Sequence, residues 1–193
     1  MEIEMRMCRI KIKSITPYSA SRPVDIERNK SEGHEEFDKR IWREKAHFTK
    51  DEDVFIPGVS FKLALDEVAS MLNEKIKGKG NQTYGKIVST ATVAMSDLFI
   101  SVKKSDLKSI TIFANLDGKR GGTVRGNRTF PIVPSWEGSV DFQIFNDELP
   151  AEVFERYMTQ AGLLTGVGRG RPGMKAPAGN GRFQPISFEW SEI

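Results

Sequence analysis

Residues 166–183 read GVGRGRPGMKAPAGNGRF, with six glycines, two prolines and four basic residues but no acid. Such a run forms neither a helix nor a central strand, because glycine loses the most conformational entropy in either and proline lacks the backbone donor both require. It must be a loop, and it joins an apolar helix-like stretch to an apolar strand-like one.

Hydrophobic periodicity lays out the elements ahead of it. Ile3, Met5 and Met7 alternate with charged residues, then Cys8, Ile10 and Ile12 do so in the opposite phase, predicting a long first strand with a bulge near residue 7. Residues 17–50 are highly charged and read as an insertion, in whose helix-compatible middle Phe37, Ile41 and Trp42 form a narrow apolar face. DVFIPGVS (53–60) predicts a short strand and turn. Ser60 is positioned to cap a helix in which Phe61, Ala64, Leu65, Val68 and Leu72 follow the 3.6-residue period, ending near Lys77 and Gly78. Residues 86–102 read as extended, with a break at Ser96-Asp97, and LKSITIFA (107–114) as another strand.

A basic hairpin arm is expected over 115–131, and SVDFQIF (139–145) alternates as a half-buried strand. LPAEVFERYMTQAG predicts a helix starting near Pro150, burying Val153, Phe154, Tyr157 and Ala161, and stopping at Gly162. RFQPISFEW is a last strand, confined by Pro185 to an edge or a bulge. The order fits a single α+β domain over 1–193, with a ferredoxin-like (RRM-like) βαββαβ core and long charged and glycine-rich insertions.

Composition excludes several classes. Hydrophobic residues make up 38% and mean hydropathy is -0.40, and no apolar run approaches the roughly 20 residues that cross a bilayer. The N-terminus, MEIEMRMCRIKIK, lacks a continuous apolar region, so a cytoplasmic protein is expected. One cysteine, Cys8, excludes an intrachain disulfide framework, and with two histidines the chain is expected to hold no metal or cofactor. The glycine run follows a helix and has no GxxxxGK[ST], which argues against nucleoside triphosphate hydrolysis.

The net charge of +3 is modest, but its distribution is uneven. Lys75, Lys77, Lys79 and Lys86 fall in one acid-free, glycine-bearing segment. Lys119, Arg120, Arg125 and Arg128 fall in a second, and Arg169, Arg171, Lys175 and Arg182 in the third. Glycines let a main chain approach phosphates and expose its N–H groups, while interspersed Arg and Lys neutralise backbone charge. Lys62, in the first turns of the predicted helix, joins these candidates. For each segment the competing reading is a solvated loop, a hairpin tip or a helix end that attracts lysine without a ligand.

Two stretches carry a family resemblance. IPGVSFKLAL (56–65) is similar to the "IPG-S-KGALR" strand-to-helix junction of the repeat-associated mysterious protein (RAMP) superfamily, and the late loop, ending in GNGRF, resembles that superfamily's C-terminal glycine-rich loop. The first motif departs from the pattern in that Phe61 and Leu63 flank Lys62. The superfamily supplies RNA-binding subunits of CRISPR effector complexes, and a small phage or mobile-element relative has the same motifs available to it. The resemblance implies non-enzymatic binding of single-stranded RNA or DNA through its backbone, with protomers arranged along the strand as a homo-oligomer or complex subunit. The acids near Glu32, Glu35, Glu36 and Asp38 are then expected to meet a basic face of a neighbour. The alternatives are a RAMP-type endoribonuclease, or a protein-interaction decoy contacting partners through residues 17–50.

Support for cleavage is thin. His34 and His47 both lie in the charged insertion without a recognisable partner motif, and the context of Asp25, SRPVDIERN, is not a close match to the metal-binding aspartate of some backbone subunits. Tyr84, Phe130 and Trp136 are candidates to stack on bases, with core packing the safer reading for Trp136, and Trp42 is either a partner anchor or a cover for its own seam.

Overall fold

Cys8, Ile10 and Ile12 are wholly buried while Arg9, Lys11 and Lys13 face solvent, so the period-two pattern sets one face of the first strand against the core. The computed structural model describes residues 5–116, 124–173 and 178–192. Lys119, Arg120 and Lys175, with the tip of the expected arm, lie outside the described residues, as does Ile3. The described elements are, in chain order, β1 (Arg6–Ser14), β2 (Tyr18–Ser19), α1 (His34–Ile41), β3 (His47–Phe48), β4 (Asp53–Ile56), α2 (Gly58–Leu72) and α3 (Tyr84–Ala91). They continue with β5 (Thr92–Ala94), β6 (Leu98–Lys103), β7 (Lys108–Asn115), β8 (Arg125–Val133), β9 (Glu137–Ile144), α4 (Ala151–Gln160) and β10 (Phe183–Glu192).

The molecule is a mixed α+β structure with antiparallel sheets. One sheet has the order β10-β1-β9-β5, and there are two three-stranded sheets, β2-β8-β7 and β3-β4-β6, the latter contacting β9 through β6. Helices α2 and α3 lie between β1 and β5 in the chain, and α4 lies between β9 and β10. Phe61, Leu65 and Val68 of α2 and Phe154, Tyr157 and Met158 of α4 bury against Ile10, Val140, Phe142 and Phe183 in one continuous core. Trp136 belongs to this core, its Nε1–H donating to the Thr16 carbonyl at 3.1 Å. Among the described residues no helix is long and apolar enough to cross a membrane.

Several boundaries differ from the sequence expectation. The irregularity in β1 pairing is not near residue 7. It lies between Lys11 and Ile12, where Lys11 faces Ser187 and Ile12 faces Pro185, leaving Ile186 as the extra residue of a bulge on edge strand β10. Helix α2 starts at Gly58 rather than after Ser60, because the Asp97 carboxylate, 39 residues on, accepts the Gly58 N–H at 2.8 Å and caps the helix from outside. It ends at Leu72, with Asn73 in the left-handed conformation (φ 46°), well short of Lys77.

The first part of the expected extended stretch 86–102 is helix α3. Its β-branched residues have only weak local preferences, and burial of Val88 and Ala91 against α2 outweighs them. Helix α4 does not stop at Gly162. It continues through a π-helical turn, Ala161–Thr165, closed by the Gly166 N–H on the Ala161 carbonyl at 2.8 Å. A Cβ on Gly162 would lie 2.1 Å from the Phe183 carbonyl oxygen, so glycine here serves the close seating of this turn on β10.

Candidate nucleic-acid interface

The glycine-rich loop is a tied structure in its described parts. The Val167 N–H donates to the Gly181 carbonyl at 3.0 Å, the Gly181 N–H to the Pro17 carbonyl at 2.7 Å, and the Arg169 N–H to the Ser19 carbonyl at 2.7 Å. Thr16 adds a side-chain clasp, its hydroxyl donating to the Gly179 carbonyl at 2.8 Å and accepting from the Arg182 N–H at 2.9 Å. These bonds hold the loop against the segment that follows β1 and carry Arg169 over β8.

There the Arg169 guanidinium stacks 3.7 Å from the centre of the Phe130 ring. Two more cations, Lys45 at 4.3 Å and Arg128 at 5.3 Å, surround the same buried ring. Asp38, from α1, neutralises two of the three, with Lys45 Nζ at 2.9 Å and Arg128 Nε at 3.0 Å, and it also accepts the Thr129 N–H. Burial pushes the Asp38 carboxyl upward, but the hydrogen bonds from Arg128 and Lys45 outweigh it and hold its pKa below the ordinary value. Burial lowers the Lys45 ammonium, and the nearby Arg128 and Arg169 charges add to that effect. Arg169 is lowered likewise, first by burial and then by Arg128.

Among the described residues Arg169 and Arg22 have no carboxylate within ion-pair distance, and unlike Lys77, Arg125 and Arg182, which also lack one, they line a groove. Arg22 is half-buried, its guanidinium 4.8 Å over Phe48 and its Nε donating to the Glu44 carbonyl. Both arginines line one open groove of about 600 Å³, together with His47, Ser60, Arg128 and Phe130. Burial, reinforced by Arg22, holds the His47 imidazole below its ordinary pKa, so it is neutral at pH 7. The groove therefore presents uncompensated positive charge on a semi-buried floor, where an anion meets less solvent screening than on an open surface.

The remaining sequence candidates are placed elsewhere or already engaged. Arg171 pairs with Glu67 of α2 at 2.6 Å, and Arg182 donates to the Leu163 carbonyl at 2.9 Å. Lys62 pairs with Asp66 and donates to the Val88 and Ser89 carbonyls, satisfying the C-terminal end of α3. Lys79 pairs with Glu148 at 2.8 Å, and Lys77 is exposed. Arg125 lies 5.0 Å over the exposed Phe113 ring on the β7–β8 arm. Of the aromatic candidates, Phe130 is buried and serves as the floor under the cations, while half-buried Tyr84 packs edge-on to Tyr157. Trp42 packs against the core with Arg43 stacked on it at 4.2 Å. His34 and Asp25 are exposed and line no part of the groove.

The acids expected to face a neighbouring protomer are occupied within the chain. Glu32 pairs with Arg40 at 2.8 Å, Glu35 accepts the Asn127 N–H at 2.8 Å, Glu36 accepts the Gly33 N–H at 3.0 Å, and Asp38 is buried under the groove. Burial takes Asp38 out of reach of a neighbour, and Glu35 and Asp38 tie the insertion to β8. Arg22 and the groove role of His47 escaped sequence reasoning because both lie in the charged segment, remote from any glycine run.

No protein family and no curated protein matches the sequence. Among solved structures, the chain is similar to one in the cryo-EM structure of the Type III-B Cmr-beta bound to cognate target RNA, with a TM-score of 0.57 and 12% identity. The match covers 97% of this chain and 61% of the other, so this chain spans less than two thirds of its neighbour's length. At that identity the likeness is one of fold.

Proposed function

We propose that this chain is a RAMP-type subunit that binds single-stranded nucleic acid, RNA foremost, by its phosphate backbone and without cleaving it. The observation that carries the reading is the pair Arg22 and Arg169, two half-buried guanidiniums without a carboxylate in one groove. Placing charges there has a desolvation cost that an incoming phosphate offsets by charge-assisted hydrogen bonds. The ferredoxin-like part of the reading is supported by the strand order β10-β1-β9-β5, which is the order such a βαββαβ unit produces when each helix connects across the sheet. The target RNA bound in the Cmr-beta structure supports the choice of ligand.

Arg22→Ala with Arg169→Ala is expected to weaken oligouridine binding and flatten its dependence on log salt by roughly 1.4, at about 0.7 per lost single-strand phosphate contact. Arg171→Ala, removing a residue already paired with Glu67, is expected to move the slope far less. Equal slopes for wild type and the double variant would defeat the groove reading.

A cleavage reading has one observation in its favour, the neutral His47 imidazole in the groove, a competent general base at pH 7. The same mixtures run on a denaturing gel decide it: binding alone leaves the oligouridine at full length, and cleavage that His47→Ala abolishes would replace the non-enzymatic reading.

A further inference from the structure

Strands β4 and β6 share a pattern that sets their outward face apart. Val54 and Ile56 of β4 and Leu98 and Ile100 of β6 point into the core, which leaves Asp53, Phe55, Phe99, Ser101 and Lys103 on the other face. A solvent-facing strand surface is ordinarily polar, and the rung formed by Asp53 and Lys103 is, with an ion pair at 2.7 Å. The neighbouring rung is aromatic throughout. His47 of β3 is paired in register with Phe55 of β4, and Phe55 with Phe99 of β6. The ring centres are 5.7 Å apart at each step, and the planes are tilted by 46°. Phe99 at the far end is 54% exposed. His47 at the near end lines the cationic groove, so the row starts at the groove wall.

We propose that the His47–Phe55–Phe99 row stacks the bases of a single strand whose phosphates lie on Arg22 and Arg169. The inference rests on the groove reading above and adds the part of the ligand it recognises, the unpaired base. The chemistry favours this occupant. A base has an extended π-face with polar edges that remain solvated, which suits a row of rings half open to water, and a strand held by its phosphates at the groove presents bases to the adjoining rung. The tilt offers offset and edge contacts to any base, so the row confers affinity without sequence preference.

The test compares fluorescently labelled oligouridine with an abasic ribose-phosphate strand of the same length. Phe99→Ala is expected to bind oligouridine about five-fold more weakly or worse, with an unchanged salt slope, and to bind the abasic strand as wild type does. Phe99→Tyr, which keeps the ring, is expected to restore oligouridine affinity. The variants should fold, since Phe99 is more than half exposed. Unchanged oligouridine affinity in Phe99→Ala, alongside weakened binding in Arg169→Ala, would overturn the stacking row and leave the groove standing; that is the result a protein-docking face would give. Equal weakening on both strands would also overturn it, and failure of the wild type to bind either strand would remove groove and row together.

Discussion

Asp38→Asn is expected to lower the unfolding free energy by about 3–5 kcal/mol, the range for removing one partner of a buried ion pair. The side chains of Asp38 and Lys45 are 7% and 5% exposed, and substitution leaves the Lys45 ammonium beneath two arginines with no counter-ion. The pH dependence follows from the direction of each shift. The folded-state pKa of Asp38 lies below its ordinary value, so its stabilisation in the wild type is present above the usual carboxylate range and is lost as pH falls through the depressed value. Lys45 is already lowered by burial in the wild-type folded state, and loss of the Asp38 charge that counters this lowers it further, so in the variant the unfolded chain binds more protons over a wider pH range and stability rises more steeply with pH toward the unfolded lysine value near 10.5. The deficit between variant and wild type should therefore narrow from pH 7 to pH 10 in urea titrations. A deficit under about 1 kcal/mol, the scale of an exposed pair, would show that the three-cation cluster is not held as described.

Gly181→Ala is expected to destabilise by roughly 3 kcal/mol or more and to abolish strand binding without removing a charge. Gly181 has φ +73°, and a Cβ there would lie 1.7 Å from the Val167 carbonyl oxygen and within 2.9 Å of the Val167 nitrogen. These are backbone atoms with no rotamer to yield, so the bond from Val167 to Gly181 must open and Arg169, two residues on, must leave Phe130. Gly80→Ala is the matched control: its φ of +63° is also left-handed, but nothing lies within 4 Å of the added methyl group, so it should lose only about 1–2 kcal/mol. Thermal unfolding read beside oligouridine binding checks both. Equal melting temperatures for the two variants would mean that the loop is not docked through Val167.

Periodicity located most of the frame because one-sided burial writes itself into local spacing. The alternation of Cys8, Ile10 and Ile12, and the stripe of Val153, Phe154 and Tyr157, each require nothing beyond their own segment. Helix α3 was illegible for the opposite reason, since its conformation depends on α2 rather than on its β-branched residues. The stacking row had a faint signal, an aromatic between inward aliphatics in VFI (54–56) and LFI (98–100). Reading 86–102 as one extended piece left the phase of β6 unset, so Phe99 could not be assigned to either face.

Glycine and proline content alone called for a loop between a helix and a strand in the late segment 166–183, and basic residues fall where glycines cluster. Which cations are left without a carboxylate in the groove depends on the fold. Arg171 meets Glu67 across 104 residues and Arg128 meets Asp38 across 90, while Arg169 and Arg22 meet no carboxylate among the described residues. Backbone freedom is a property of each residue and its neighbours in the chain. Charge compensation depends on distance in space, and distance in space is set by how the sheets and helices pack.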